Sequence, residues 1–288
     1  MNKVSTILTH PGGAHKDDFL ACCILLATSP APIVRRDPTE RELSDPNVCI
    51  IDIGGRHEPE LMNFDHHQLP RDHPPTCSVS LVLQALGIYE EAKRFCEWLE
   101  PTEWFDCRGP VKTAHWLGVD RELLNKLNSP IDVTVLRRFA YSEFLGPGDV
   151  VWELMKMIGE DLLNYIRSLS ERLDYLMKAC VIWNASEQDT SLKVVVLPKA
   201  DQMPNEPSLG MSRFVEIQNL TQKVIALVYP DRRGNGYALT RYNDCPKLDF
   251  SRIEQEFDVH FSHAQGFLAK TSATSNERIL KLIQLALI

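Results

Sequence analysis

Residues 48–53, VCIIDI, form a near-continuous β-branched run that ends on Asp52 and meets Gly54-Gly55. A strand so uniformly apolar is buried on both faces, as parallel strands inside an α/β sheet are. Residues 4–9, VSTILT, have the same texture; Gly12-Gly13 break them, and the run FLACCILLA that follows is helical in length and Ala/Leu content. Strand, glycine loop, helix is the first half of an α/β unit. Residues 33–36, IVRR, offer a second strand. In open α/β sheets functional groups collect at the carboxyl ends of strands, where His10 and Asp52 both stand.

Residues 78–100 predict helices. Over 149–183, Val151, Leu154, Met155, Ile158, Leu162, Ile166, Leu169, Leu173 and Leu176 recur in steps of three and four, the mark of a long amphipathic helix or helix pair. From about residue 190 the segments SLKVVVLPK, KVIALVYPD and GYALTRY read as strands, with DRRGNG as a hairpin turn. The segment from Phe261 onward reads as a glycine-containing loop leading into a terminal helix. The 288 residues therefore divide into an α/β domain over 1–148, a helical linker over 149–188 and a smaller α/β domain over 189–288.

Hydrophobic residues make up 44% and charged residues 24%, enough apolar material for a core in each domain. No apolar run approaches the ~18–20 residues that cross a bilayer. The opening MNKVSTILTHPGG has neither a signal-peptide core nor an Arg-rich transit pattern, so a cytoplasmic protein without a membrane partner is expected. The net charge of −8 argues against a generic binder of long phosphate backbones; attraction to phosphate must be local. Eight cysteines include no CxxC pair and read as reduced, packed thiols rather than a zinc-thiolate site.

The first candidate constellation is His10, His15, Asp17 and Asp18. Imidazole with carboxylate suits Mn²⁺, Fe²⁺, Zn²⁺ and related ions; the plainer reading makes the two aspartates caps on the following helix. Asp52 closes an apolar strand, where an ionised carboxylate is costly unless paired or metal-bound; the plainer reading is an Asx-type turn. Asp65-His66-His67 is the strongest local signal: adjacent histidines project differently, so one can bind metal while the other faces substrate, and Asp65 can fix orientation. Asp106 lies in a turn-like FDCRGP. His57, His73 and His115 read as surface or packing residues, although His73, in a Pro-rich loop, is able to approach the site. In the second domain, Arg232, with Arg233 beside it, and Arg241 are candidates for an anionic end group, against a solvated hairpin tip. His263 stands beside Gly266, which permits close backbone approach, with a helix start following that would favour an anion.

The order HPGGAHKDD, IIDIGG, FDHHQ and then an aspartate about forty residues later resembles the DHH phosphoesterase superfamily. It is most similar to the Myg-type branch, described as 3′–5′ RNA exonucleases. Further matches are His15 in the first motif, Arg36-Asp37-Pro38, Tyr229-Pro230-Asp231 and His263 to Phe267. The resemblance implies a parallel-sheet first domain, a helical linker, a smaller C-terminal domain and an active site between the two domains. It implies one metal on His10, His15 and Asp52, and a second on Asp17, Asp52, His66 and Asp106, with Asp52 bridging. His67 would lie beside the phosphate or leaving group, and His263, Gly266, Arg232 and Arg241 would contact substrate. Three features depart from the branch: Asp18 replaces a glutamate, Ala269-Lys270 replace a glycine pair, and the stretch from Tyr242 to Ser262 is shorter.

The expected chemistry is two-metal phosphoester hydrolysis, with a pair of divalent ions ~3.5–4 Å apart activating water and stabilising phosphoryl charge. Mn²⁺ is the first choice for nitrogen and oxygen ligands; Mg²⁺, Co²⁺, Fe²⁺ and Zn²⁺ remain open. The expected substrate is a short RNA or DNA cleaved 3′–5′. The alternatives are a small phosphate compound such as pyrophosphate, a nucleoside phosphate or a cyclic dinucleotide, or a catalytically silent binding protein on the same fold. The oligomeric state is left open by the sequence.

Overall fold

A computed structural model describes residues 3–127, 129–201 and 206–288. The chain separates into two compact units, residues 1–168 and 169–288.

Unit 1 begins with β1 (Thr6–Thr9), α1 (Lys16–Thr28), β2 (Ile33–Arg35), α2 (Glu40–Leu43), β3 (Val48–Ile51), β4 (His57–Glu58) and β5 (Asn63–Phe64). It continues with α3 (Ser78–Ala85), α4 (Tyr89–Phe95), α5 (Leu99–Leu117), α6 (Arg121–Lys126), α7 (Pro130–Ala140) and β6 (Phe144–Leu145). The sheet order is β4-β5-β3-β1-β2-β6. β1 lies between β2 and β3 and is parallel to both, and β5 adds parallel to β3. The chain leaves β1 toward β2 on one side and returns to β3 on the other. The carboxyl ends of β1 and β3 therefore flank a topological switch point, where α/β sheets hold their ligands. Ile7, Leu8, Ile50 and Ile51 have no exposed surface, which is why these strands read as unbroken apolar runs.

The helix α8 (Val150–Ala179) spans the division between the units. Its sequence period extends to 183, but the last three residues of that stretch belong to β7 (Val181–Asn184) instead. Val181, Ile182 and Trp183 pair with Val196, Val195 and Val194, and β-branched and aromatic side chains favour that ladder over another helical turn. Gly159 admits α8 to α1, since a Cβ there would overlap the Cys23 carbonyl.

Unit 2 carries β8 (Lys193–Val196), α9 (Met211–Ile217), β9 (Val224–Pro230), β10 (Tyr237–Arg241), β11 (Val259–Ser262), β12 (Leu268–Thr271) and α10 (Asn276–Ala286). With β7 these strands make a sheet of order β11-β12-β10-β9-β8-β7, in which only β8 and β9 are parallel. α10 buries Ile279, Leu282, Ile283 and Ala286 in a core shared with Ile225, Val228 and Leu239. Both units are α/β, as the sequence predicts. Among the described residues no helix is long and apolar enough to cross a membrane.

Two local expectations are corrected. Asp106 is not in a turn: it lies inside α5, and the backbone leaves helical geometry only at Gly109 (φ 72°, ψ 168°), before Pro110. Proline disfavours helical backbone in the residue before it, and glycine accepts the left-handed φ. The break therefore stays at Gly109, and Asp106 is held by the preceding turns. The segment after His263 is also not a loop running into a helix. It is the hairpin β11–β12, with Gly266 at its turn (φ 67°). α10 starts only at Asn276, capped by Ser275, so no helix start lies beside Gly266.

Candidate metal centre

The glycine loop after β1 is held from beneath by Arg35, whose side chain is almost wholly buried. Its guanidinium donates to the carbonyls of His10 (2.9 and 3.1 Å), Gly12 (3.3 Å) and Gly13 (2.9 Å). Cζ also sits 4.4 Å from the centre of the Phe139 ring. The loop is thereby fixed with His10 and His15 turned toward the strand ends. Asp18 takes the capping role weighed for it: its Oδ1 accepts from the His15 backbone N–H at 2.8 Å, and His15 is the N-cap of α1. Asp17 projects into the site with no exposed surface.

Asp52 follows β3 in left-handed backbone (φ 59°) and stands at the centre of the cluster. Its Oδ2 is 3.5 Å from His10 Nε2 and its Oδ1 is 3.0 Å from His66 Nε2. Ser78, at the start of α3, donates its hydroxyl to Asp52 Oδ1 at 2.8 Å and its N–H to Asp17 Oδ2 at 3.4 Å. Asp106 Oδ2 is 2.8 Å from His66 Nε2, and its Oδ1 is 3.7 Å from His15 Nδ1. His10, His15, Asp17, Asp52, His66 and Asp106, spread over nearly a hundred positions, thus meet in one place. Among the described residues, four triads have ligand atoms within 4.8 Å of one another: His10–His15–Asp52, Asp52–His66–His67, His66–Asp106–Cys107 and His15–Asp17–Asp106.

His67 is the exposed member. Its Nδ1 donates to Asp65 Oδ1 at 2.7 Å, and Asp65 is itself held by the N–H groups of Gly55 (2.6 Å) and His67 (3.0 Å). This pairing fixes the ring and leaves Nε2 as its outward nitrogen.

The electrostatics show what the cluster lacks. Burial, then the charges of Asp52 and Asp106, push the Asp17 carboxyl well above the usual range. Burial alone would lower the His66 imidazole, but the adjoining Asp106 and Asp52 carboxylates prevail and push it up to about 12. The Asp18 carboxylate beside His10 lifts that ring to about 9. Buried Asp17 Oδ1 has no hydrogen-bond partner, while His10 Nε2 and Asp18 Oδ2 (3.3 Å) and His66 Nε2 and Asp106 Oδ2 (2.8 Å) face each other at ion-pair distance without hydrogen-bond geometry. Buried carboxylate oxygens and imidazole nitrogens converging on one point are costly unless protons or a cation balance their charge. The nitrogen–oxygen donor set and this convergence fit divalent metal.

Three contributors escape a reading of the sequence. Arg35 ends an apolar strand beside the more noticeable Arg36; Ser78 looks like any helix-start serine. Cys107 is held by Thr76, whose N–H donates to Sγ (3.3 Å) and whose carbonyl accepts from it (2.9 Å), with His66 Nδ1 3.8 Å away. His73 belongs to none of the triads; its Nδ1 lies 2.8 Å from the Pro74 carbonyl.

In unit 2, Arg241 ends β10 and bonds Asp244 at 2.9 Å. The His263 ring packs on Phe267 with centroids 3.9 Å apart, and Gly266 admits the Asp249 carboxylate where a Cβ would overlap it. The Arg241 backbone N–H reaches the Phe267 carbonyl, so Arg241 and the Gly266 hairpin share one end of the sheet. Arg232 lies beyond Pro230 at the other end, paired with Glu206 at 3.0 Å. The four sequence candidates of this unit therefore do not converge.

Fold and site together define an α/β protein with an imidazole–carboxylate centre at the switch point of its first sheet. Residues 6–82 match the MYG1 exonuclease family model, described as an uncharacterised protein family (UPF0160). Over 64 residues the chain is 41% identical to the MYG1 exonuclease of Rattus norvegicus and 39% identical to that of Bos taurus. Each aligned stretch is 21% of this chain and 16% of the relative, so only a small part of either relative's length is spanned.

Proposed function

We propose that this chain is a metal-dependent phosphodiesterase, acting as a 3′–5′ exonuclease on short RNA or DNA. The observation that carries the reading is Asp52: its two oxygens face His10 and His66 respectively, so one carboxylate serves two adjoining ligand sets. The similarity of residues 6–82 to proteins named exonucleases supports the same reading. Residues 1–148 would be the catalytic part, 149–188 the helical connector and 189–288 the substrate-binding part, with His263, Gly266 and Arg241 as its nearest-grouped candidates.

His10, His15 and Asp52 would hold one ion, and Asp17, Asp52, His66 and Asp106 the other, Mn²⁺ by donor preference. A bound pair supplies Lewis acidity toward phosphoryl oxygens and an activated water. The chain's own residues do the rest. Three carboxylates, Asp17, Asp52 and Asp106, offset the charge of two dications. Ser78 fixes the rotamer of Asp52, and Arg35 fixes the loop bearing His10 and His15. Asp65 holds His67 by Nδ1, leaving Nε2 to hold a proton for the departing oxygen. The net charge of −8 suits chain ends over long duplexes.

The test is metal content together with hydrolysis of a short RNA labelled at either end. Asp52→Asn is expected to lose both bound Mn²⁺ and turnover, and His67→Ala to keep metal and lose turnover. Shortening from the 3′ end is expected; full activity of Asp52→Asn would overturn the reading.

A further inference from the structure

A cavity of about 390 Å³ opens in unit 1 between the Pro-rich loop after His67 and helices α3 to α5. That volume falls within the ~300–1,000 Å³ of small-molecule sites. Trp104 and Trp116 line it, stacked on each other with ring centroids 4.9 Å apart and planes 8° from parallel. Both side chains are half-buried. Glu103 also lines it and is only 2% exposed. Its Oε1 accepts both the Ser80 hydroxyl (2.6 Å) and the Tyr89 hydroxyl (2.8 Å), and no hydrogen bond falls to Oε2. A buried carboxylate with one oxygen unbonded, beside a flat π wall, fits a planar ring that carries an N–H donor.

The cavity and the metal centre share a wall. Glu103 precedes Asp106 by three residues on α5, about 4.5 Å of helical rise. Ser80, which holds Glu103, is two residues from Ser78, which holds Asp52. Thr76 lines the cavity and clasps the Cys107 thiol beside His66. A ligand in the cavity therefore adjoins the segments that carry the carboxylate–imidazole cluster, and Lys93 supplies a cation to the cavity lining.

We propose that this cavity is a nucleobase pocket: the base lies against the Trp104–Trp116 pair and donates an N–H to Glu103 Oε2, while its sugar-phosphate reaches toward the metal centre. The direction of the phosphate rests on the phosphodiesterase reading; the binding of a base does not. An amino-bearing base such as adenine suits the acceptor, whereas unsubstituted purine carries no N–H on its six-membered ring and is disfavoured.

The experiment is calorimetric titration of the full chain, with Mn²⁺, using adenosine 5′-monophosphate, purine riboside 5′-monophosphate and ribose 5-phosphate. Base stacking is worth ~1–3 kcal/mol, so the adenine nucleotide is expected to bind at least about ten-fold tighter than ribose 5-phosphate. Trp104→Ala should shrink that ratio to within about two-fold, and Trp104→Phe should retain most of it. Glu103→Gln places an amide donor at the Oε2 position, opposite the adenine amino group, and should bring the adenine nucleotide down to or below the purine nucleotide while both keep their advantage over ribose 5-phosphate, a change that loss of packing would not produce. Equal binding of adenosine 5′-monophosphate and ribose 5-phosphate by the wild type overturns the proposal. So does an unaltered adenine preference in folded Glu103→Gln. Base-dependent binding without any hydrolysis leaves the pocket standing and removes the phosphodiesterase reading; hydrolysis without base preference does the reverse.

Discussion

An aspartate at the end of a buried strand needs partners, and Asp52 finds His10, His66 and the Ser78 hydroxyl within 3.5 Å. Asp65 works at one remove, gripping His67 by Nδ1 while Gly55 grips Asp65. Asp65→Ala should leave metal content intact and lower kcat by about 10–100-fold, as loss of an orienting carboxylate does elsewhere. Elemental analysis beside steady-state kinetics checks this; metal lost in step with activity would make Asp65 part of the cage. At this scale the sequence is informative where chemistry is unusual for its setting. Asp65-His66-His67 and Asp52 stand out because charge and imidazole follow apolar strands. Arg35 and Ser78 do not, because a single arginine or serine next to a strand or helix end is ordinary until its contacts are known.

Elements act through their packing as much as through their propensities. Gly159→Ala would raise the intrinsic helicity of α8 by up to about 1 kcal/mol, yet the added methyl overlaps the Cys23 carbonyl of α1. A net loss of about 1–3 kcal/mol in unit 1 is expected from such overpacking, read by denaturant unfolding. The start of α10 is tied down by Arg278, which bonds Asp258 through both arms (2.8 and 2.7 Å) and Glu256 (2.7 Å). This pairing, against an opposing burial effect, holds the Asp258 carboxyl below its ordinary range. A depressed folded pKa gives stability that is present above the unfolded value and is lost as pH falls through the folded one. Arg278→Met should therefore cost about 1.5–3 kcal/mol near neutral pH, with the gap from wild type closing below about pH 4. Urea titrations at pH 7 and pH 3 measure both. Sequence period located α8 well but ran it past its end, since apolar spacing alone does not separate a helix's last turn from a following β-branched strand. The Gly109-Pro110 pair likewise marks a break without saying which side of it Asp106 occupies.

For the whole molecule, the charges gathered at the centre set a pH dependence. The His66 imidazole, at about 12, and His10, at about 9, hold protons that an unfolded chain releases near 6.5. A raised folded pKa gives stability that is present below the unfolded value and is lost as pH rises through the folded one. The metal-free protein is thus expected to lose thermal stability from pH 6 to pH 9. Cations replace those protons, so at one fixed MnCl₂ concentration the Tm gain should be larger at pH 9; where that concentration is a hundred times Kd, binding adds about 2.7 kcal/mol of stability. Differential scanning calorimetry at the two pH values decides it, and an equal gain at both would count against the His10 and His66 assignments. The sequence by itself determined the α/β class, the strands ending at His10 and Asp52, and the residue types gathered there, because hydrophobic periodicity and the cost of a charge at a buried strand end are local. The tertiary structure alone decided that these groups face one another, that Arg232 lies apart from Arg241 and the Gly266 hairpin, and that Glu103 opens beside two tryptophans. Those relations depend on sheet order and helix packing between residues far apart in the chain, and no local pattern encodes them.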